Sequence, residues 1–173
     1  MTRISMPHSV RILLVLLLLS ATSGIAFAQG TTDFSGLWKQ DNDRSQPRRN
    51  GDVTLRIEHR DPVFTVETSI SRNAASSRHA LQKYTTDGKV SVSTGADGDQ
   101  FKTSVVWKNL SLVFSIEEHE DGRILLSKET WTLIEDGATL ERVREHPNGE
   151  KQTLFYRRMP PSDSKPEAVK VRD

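Results

Sequence analysis

Glu129, Arg142 and Arg144 are the residues whose types and spacing carry the most chemistry. A strand sends alternate side chains to one face, so Arg142 and Arg144 share a face, and a hairpin between them and Glu129 brings all three together. Arginine forks in an apolar setting match the oxygens of a carboxylate or phosphate. With Trp131 and Phe155 beside them, Glu129, Arg142 and Arg144 read as a ligand-binding face for an anionic head group. The competing reading is structural: Glu129 pairs with Arg144, Arg142 stacks on Trp131, and nothing is left for a ligand. Unpaired interior charges are costly, which favours that second reading for Arg144. Arg142 is then the better candidate to meet a ligand.

Other chemistry is sparser. His79, His119 and His146 could meet at one rim, but their spacing matches no ligand motif, so solvated histidines and no metal are expected. There is no cysteine, which excludes disulfides, thiol catalysis and thiolate metal sites. No Gly-x-Ser-x-Gly elbow and no glycine-rich phosphate loop occurs. Glu117 and Glu118 are adjacent, so on a strand they point to opposite faces and cannot work as a carboxylate pair. The sequence therefore nominates no catalytic residue and no cofactor, and the expectation is that the protein is not an enzyme. Arg44, Arg48 and Arg49 are diluted by Asp41, Asp43 and Asp52, which argues against nucleic acid as a partner.

The N-terminus points to export. Arg3 and Arg11 precede the apolar run 12–19, and Ala26-Phe27-Ala28 supplies small residues before a cut at Gln29. The run is short for a membrane span. Residues 1–28 thus read as a signal peptide, with a periplasmic or secreted product that keeps no anchor. Of 24 Lys+Arg, the two arginines leave with the peptide, so 22 face 23 Asp+Glu, a formal −1.

Positioning these residues requires strands. Alternating runs recur at 34–40, 53–60, 63–70, 79–86, 89–94, 101–108, 110–119, 123–134, 139–146 and 151–158. Between them stand Asp61-Pro62, Asp87-Gly88, Asp97-Gly98, Asp121-Gly122, Asp136-Gly137 and Asn148-Gly149, suited to tight hairpins. The polar segment 41–52 reads as a loop, and 159–173 as a disordered tail. Closing on Asp136-Gly137 sets Leu133 opposite Leu140, Trp131 opposite Arg142 and Glu129 opposite Arg144. Closing on Asp121-Gly122 sets Leu112 opposite Trp131 and Phe114 opposite Glu129. A turn at Lys108-Asn109 sets Val105 against Leu112. Around Asp61-Pro62, Ile57 faces Val66 and His59 faces Phe64. Closing on Asn148-Gly149 sets Phe155 opposite Arg142 and Arg157 opposite Leu140, leaving Leu154 and Tyr156 outside with Val143. Each hairpin puts its bulky residues on one face, which supports an all-β, antiparallel meander of about eight to ten strands closed into a barrel spanning 29–158.

The first run, Asp33-Phe34-Ser35-Gly36-Leu37-Trp38, resembles the Gly-x-Trp signature that opens lipocalins and their calycin relatives. The span 33–158 is similar to exported bacterial proteins of lipocalin-like type that open Phe-Ser-Gly-x-Trp. The resemblance implies that Gly36 and Trp38 close one end of the barrel against an arginine of the last strand, for which Arg157 is the candidate. It also departs from the family pattern. Tyr84-Thr85-Thr86-Asp87-Gly88 is not the Thr-Asp-Tyr turn, and Tyr156-Arg157-Arg158 is not the Arg-x-Tyr ending of fatty-acid-binding relatives. The implied role is binding a small hydrophobic or anionic amphiphilic molecule inside the barrel. The alternative is a ligandless structural or interaction domain whose barrel is filled by its own side chains.

Overall fold

The computed structural model describes residues 32–48, 51–73, 76–95, 98–120 and 122–160; the expected signal peptide 1–28, and all but the first two residues of the expected tail 159–173, lie outside them. Ten strands run in chain order: β1 (Gly36–Gln40), β2 (Asp52–Arg60), β3 (Val63–Asn73), β4 (Ser76–Thr85), β5 (Asp87–Thr94), β6 (Gln100–Lys108), β7 (Ser111–Glu120), β8 (Arg123–Ile134), β9 (Thr139–Glu145) and β10 (Lys151–Arg158). They form one antiparallel sheet in the order β4-β3-β2-β1-β10-β9-β8-β7-β6-β5. Pairing of β1 with β10 joins the first strand to the last and curls the meander into a barrel.

The seam lies between β4 and β5. Asp87-Gly88 does not turn a hairpin there; both residues belong to β5, and no ladder pairs β5 with β4. The connecting Thr86 is pulled away toward the β2–β3 turn. Its N–H donates to the Pro62 carbonyl at 2.8 Å, and its hydroxyl donates to Asp61 Oδ1 at 2.7 Å.

Alternate residues of each strand fill the interior. Phe34, Trp38, Leu55, Phe64, Leu112 and Leu140 are wholly buried, with Ile57, Val66, Val105, Phe114, Trp131 and Tyr156 close around them. Each such side chain contributes roughly 1.5–3 kcal/mol by leaving water. The β2–β3, β7–β8 and β8–β9 registers match the sequence reading, including Ile57 with Val66, Phe114 with Glu129 and Trp131 with Arg142. The β6–β7 hairpin turns one residue later than expected. Lys108 pairs with Ser111 and Val105 with Phe114, a shift of one pair that leaves the faces unchanged.

The last hairpin differs by a single residue, and that reverses a face. Lys151 pairs with Glu145, so five residues form the loop instead of two, and Leu154 sits opposite Arg142 and Tyr156 opposite Leu140. A two-residue turn would make Pro147 one of the flanking pair that exchanges N–H···O bonds, and proline has no N–H to give. The wider loop closes instead through His146 N–H to the Glu150 carbonyl at 2.9 Å, while Asn148 Oδ1 accepts from the Glu150 N–H at 3.0 Å. Leu154 and Tyr156 are therefore core, not an outer patch, and Phe155 faces outward.

Segment 41–48 is a strap rather than a free loop. Asp41 N–H donates to the Phe155 carbonyl at 2.8 Å, the Ser45 hydroxyl donates to the Asp41 carbonyl at 2.6 Å, and Gln46 bridges to Thr153.

Candidate functional site

Towards one end of the barrel Trp38 is wholly buried, and the arginine upon its ring is Arg158. Its guanidinium lies 4.2 Å from the indole centre. It donates to the Ser35 carbonyl at 2.5 Å and the Gly137 carbonyl at 3.0 Å. Gly36 is required at this point. Its φ is +139°, and a Cβ there would come within 3.0 Å of the Arg158 guanidinium. Arg157, the residue expected in this role, faces outward and donates from Nε to Asp41 Oδ2 at 2.8 Å. The β9–β10 register accounts for the exchange.

A second network at the same end was not foreseen. His59, 9% exposed, places Nε2 3.0 Å from Asp61 Oδ1. Its Nδ1 accepts from the Phe34 N–H at 3.4 Å, so Nε2 carries the proton toward Asp61. Asp61 Oδ1 also accepts from Thr86 and, at 3.2 Å, from Trp107 Nε1. Burial pushes the Asp61 carboxyl up, but bonds from Thr86, His59 and Trp107 outweigh it and hold the group below its ordinary value. The inward setting of His59 was legible; its bond to the turn residue Asp61 was not.

The inner charged set occupies the interior as β8 and β9 place it. Glu129, 6% exposed, accepts from Arg142 Nε at 2.6 Å and from Trp131 Nε1 at 2.7 Å. The Arg142 guanidinium lies 4.3 Å from the centre of Trp131 and donates to the Tyr156 hydroxyl at 3.4 Å. Burial raises the Glu129 carboxyl, yet the charge and hydrogen bond of Arg142, with the Trp131 bond, hold it below the ordinary value. Burial likewise opposes charge on Arg142, and Glu129 overcomes it, so the guanidinium is held more firmly protonated than usual.

The expected Glu129–Arg144 pair does not form. The two are register partners, but Glu129 is satisfied diagonally by Arg142. Arg144 instead donates to Ser127 Oγ at 3.1 Å and lies 3.8 Å from Glu118 Oε2, while its Nε is buried with no hydrogen-bond partner. The pairing is thus the reverse of that expected: Arg142 is held by Glu129, Trp131 and Tyr156, and the Nε of Arg144 is left without a partner. Phe155 takes no part, because it faces outward with the Arg44 guanidinium 4.5 Å from its ring centre.

A cavity of about 130 Å³ adjoins this set, bounded by Gln82, Tyr84, Ser93, Thr103, Phe114 and Arg144, among others. Burial pushes the Tyr84 hydroxyl up to about 12, against the pull of Arg142, so it is a neutral donor at ordinary pH. The cavity wall is therefore mixed, with an aromatic side, several neutral hydroxyl and amide groups, the cations Arg142 and Arg144, and the Glu129 carboxylate.

The three histidines do not assemble. His79 bonds to Ser69 Oγ at 2.9 Å, His119 to Glu117 Oε1 at 2.5 Å, and His146 closes its own loop through its backbone. Among the described residues no group of three or more His, Cys, Asp or Glu could hold a metal ion.

Solved structures with this architecture cover nearly their whole length. A secretory abundant heat soluble protein 4 from Ramazzottius varieornatus matches with a TM-score of 0.58 at 13% identity, over 75% of this chain and 96% of that one. The REP1-NXSQ fatty acid transporter matches at 0.56 and 14% identity, over 74% and 97%. The fatty-acid-binding protein 1 of Echinococcus granulosus matches at 0.53 and 11% identity, over 73% and 98%. The fold is lipocalin-like, of the calycin type. No family model and no curated protein matches the chain in sequence. At these identities the likeness gives the calycin architecture and leaves the contents of the barrel to its own residues.

Proposed function

We propose that this calycin barrel is an exported binding protein for a small amphipathic anion, held inside the barrel with its negative group against Arg144. The observation that carries the reading is the buried Arg144 Nε, which has no hydrogen-bond partner and belongs to a residue lining the cavity. Buried donors in folded proteins are normally paired, and an orphaned guanidinium N–H on a residue of the cavity wall fits an incoming acceptor. Tyr84, Gln82, Ser93 and Thr103 offer further polar contacts, and Phe114 and Ile116 an apolar flank. The fatty acid transporter and the fatty-acid-binding protein among the similar barrels support the same class of ligand. Such a role needs no catalytic group.

The size of the space limits the ligand. About 130 Å³ lies below the roughly 300–1,000 Å³ of drug-sized sites, so a head group with a short chain fits and a long chain requires side chains to move. The same small volume favours a second reading, a barrel packed by its own side chains. Titration calorimetry with octanoate, and with octanol as the uncharged control, separates the two. Octanoate should bind more tightly than octanol, and Arg144→Gln should remove roughly 1.5–3 kcal/mol of that preference. Absence of binding by either probe supports the filled barrel. Export is tested separately: N-terminal sequencing of the protein recovered outside the cytoplasm should begin at Gln29, and a product retaining Met1 in membranes contradicts it.

A further inference from the structure

The outward face of β5 to β8 carries apolar side chains with no cover: Val90, Val92, Ile124 and Leu126 are 61%, 67%, 59% and 63% exposed. A groove of about 520 Å³ crosses this face, with Ser104 and Ser115 among its lining residues. Exposed apolar clusters of this kind mark contact surfaces. The order of residues across the strands says which contact. Val92, Lys102, Glu117 and Leu126 are successive register partners on β5, β6, β7 and β8. The row reads apolar, positive, negative, apolar.

We propose that this face binds a second copy of the chain about a two-fold axis lying along the strands, between β6 and β7. That rotation reverses the row. Val92 of each copy then meets Leu126 of the other, and Lys102 of each meets Glu117 of the other. The adjacent row, Val90, Ser104, Ser115 and Lys128, sets serine against serine at the centre and Val90 against the aliphatic stem of Lys128. A rotation in the other sense, with the axis across the strands, would put like charges together and is disfavoured.

Within one chain Lys102 Nζ already lies 2.9 Å from Glu117 Oε1, and His119 Nε2 shares that oxygen. The centre of the face is therefore a neutral pair, with no net sign to select an acidic or basic partner. Its self-complementary order is the property that points to a second copy.

Sedimentation equilibrium of the full chain, from micromolar to near-millimolar concentration, should show a reversible dimer. Val92→Asp and Lys102→Glu should each weaken it about tenfold or more, whereas the exchange Lys102→Glu with Glu117→Lys should restore it. Leu126→Asp, on another strand, carries the same expectation should Val92→Asp fail to fold. A chain that stays monomeric throughout overturns the proposal. So does a dimer unaffected by these changes, as one joined through the unpaired β4 and β5 edges would be.

Discussion

Glu129 holds two buried donors on one oxygen, and Arg142 is fixed by a carboxylate, an indole and a phenol together. A charge so enclosed is structural, because removing its partner leaves it uncompensated. Glu129→Ala should therefore cost about 3–5 kcal/mol in urea unfolding, more than any single change at Arg144. The pH dependence has a definite sign. The folded Glu129 carboxyl titrates below its ordinary 4.5, so its stabilisation is present above that value and lost as pH falls through the folded pKa. Unfolding midpoints followed downward from neutrality should fall steeply below about pH 4.5, and Glu129→Gln should flatten part of that limb. Trp38→Ala should lose about 3–5 kcal/mol, since the indole is wholly buried and carries Arg158. Arg158→Ala should cost more than Arg157→Ala, because Arg157 is largely exposed in its pair with Asp41. Equal effects in thermal melts would contradict this placing of the two arginines.

At the scale of elements, β10 decides which residues reach the interior. Leu154→Ala should cost about 2–5 kcal/mol, and Phe155→Ala less than half of that, as chemical denaturation of both variants would show. The reverse order would indicate the alternative register, with Phe155 inside. The information for the observed register was in the sequence at Pro147, which cannot flank a two-residue turn; Asn-Gly dominated the reading because it is the stronger local signal. From that slip followed the misplacing of Leu154, Phe155, Tyr156 and Arg157. The hairpins β2–β3, β7–β8 and β8–β9 were legible because bulky residues on both strands agree with the turn chemistry. Asp87-Gly88 had the same turn chemistry without that support. What overrides it is Thr86 reaching Asp61 and Pro62, residues 25 and 24 positions earlier, a contact that no local pattern reveals. The partner of Glu129 was hidden for a related reason. Register gives the residue directly opposite, whereas long side chains choose diagonally, and Arg142 outcompetes Arg144 for Glu129.

The described residues form a barrel with one unpaired seam, and the cavity lies against it, because Gln82 of β4 and Ser93 of β5 both line the space. A ladder closed all round would have to break hydrogen bonds to admit a ligand; two strands without a shared ladder can part at lower cost. The seam is thus the natural place for the small cavity to widen. Backbone amides of β4 and β5 that point across it have no ladder partner, so hydrogen exchange there should be faster than in β2, β7 or β8. Octanoate seated against Arg144 would bridge the wall to Tyr84 and Ser93, and exchange in β4 and β5 should slow when it binds. In Arg144→Gln the same octanoate concentration should leave exchange at the seam nearly unchanged. Slowing that persists without the guanidinium would place the anion elsewhere on the barrel. Slowing confined to β7 and β8 would place it inside, but with entry through another end. Protection restricted to β4 and β5, and dependent on Arg144, is the pattern that ties the unpaired seam, the cavity and the orphaned Nε into one site.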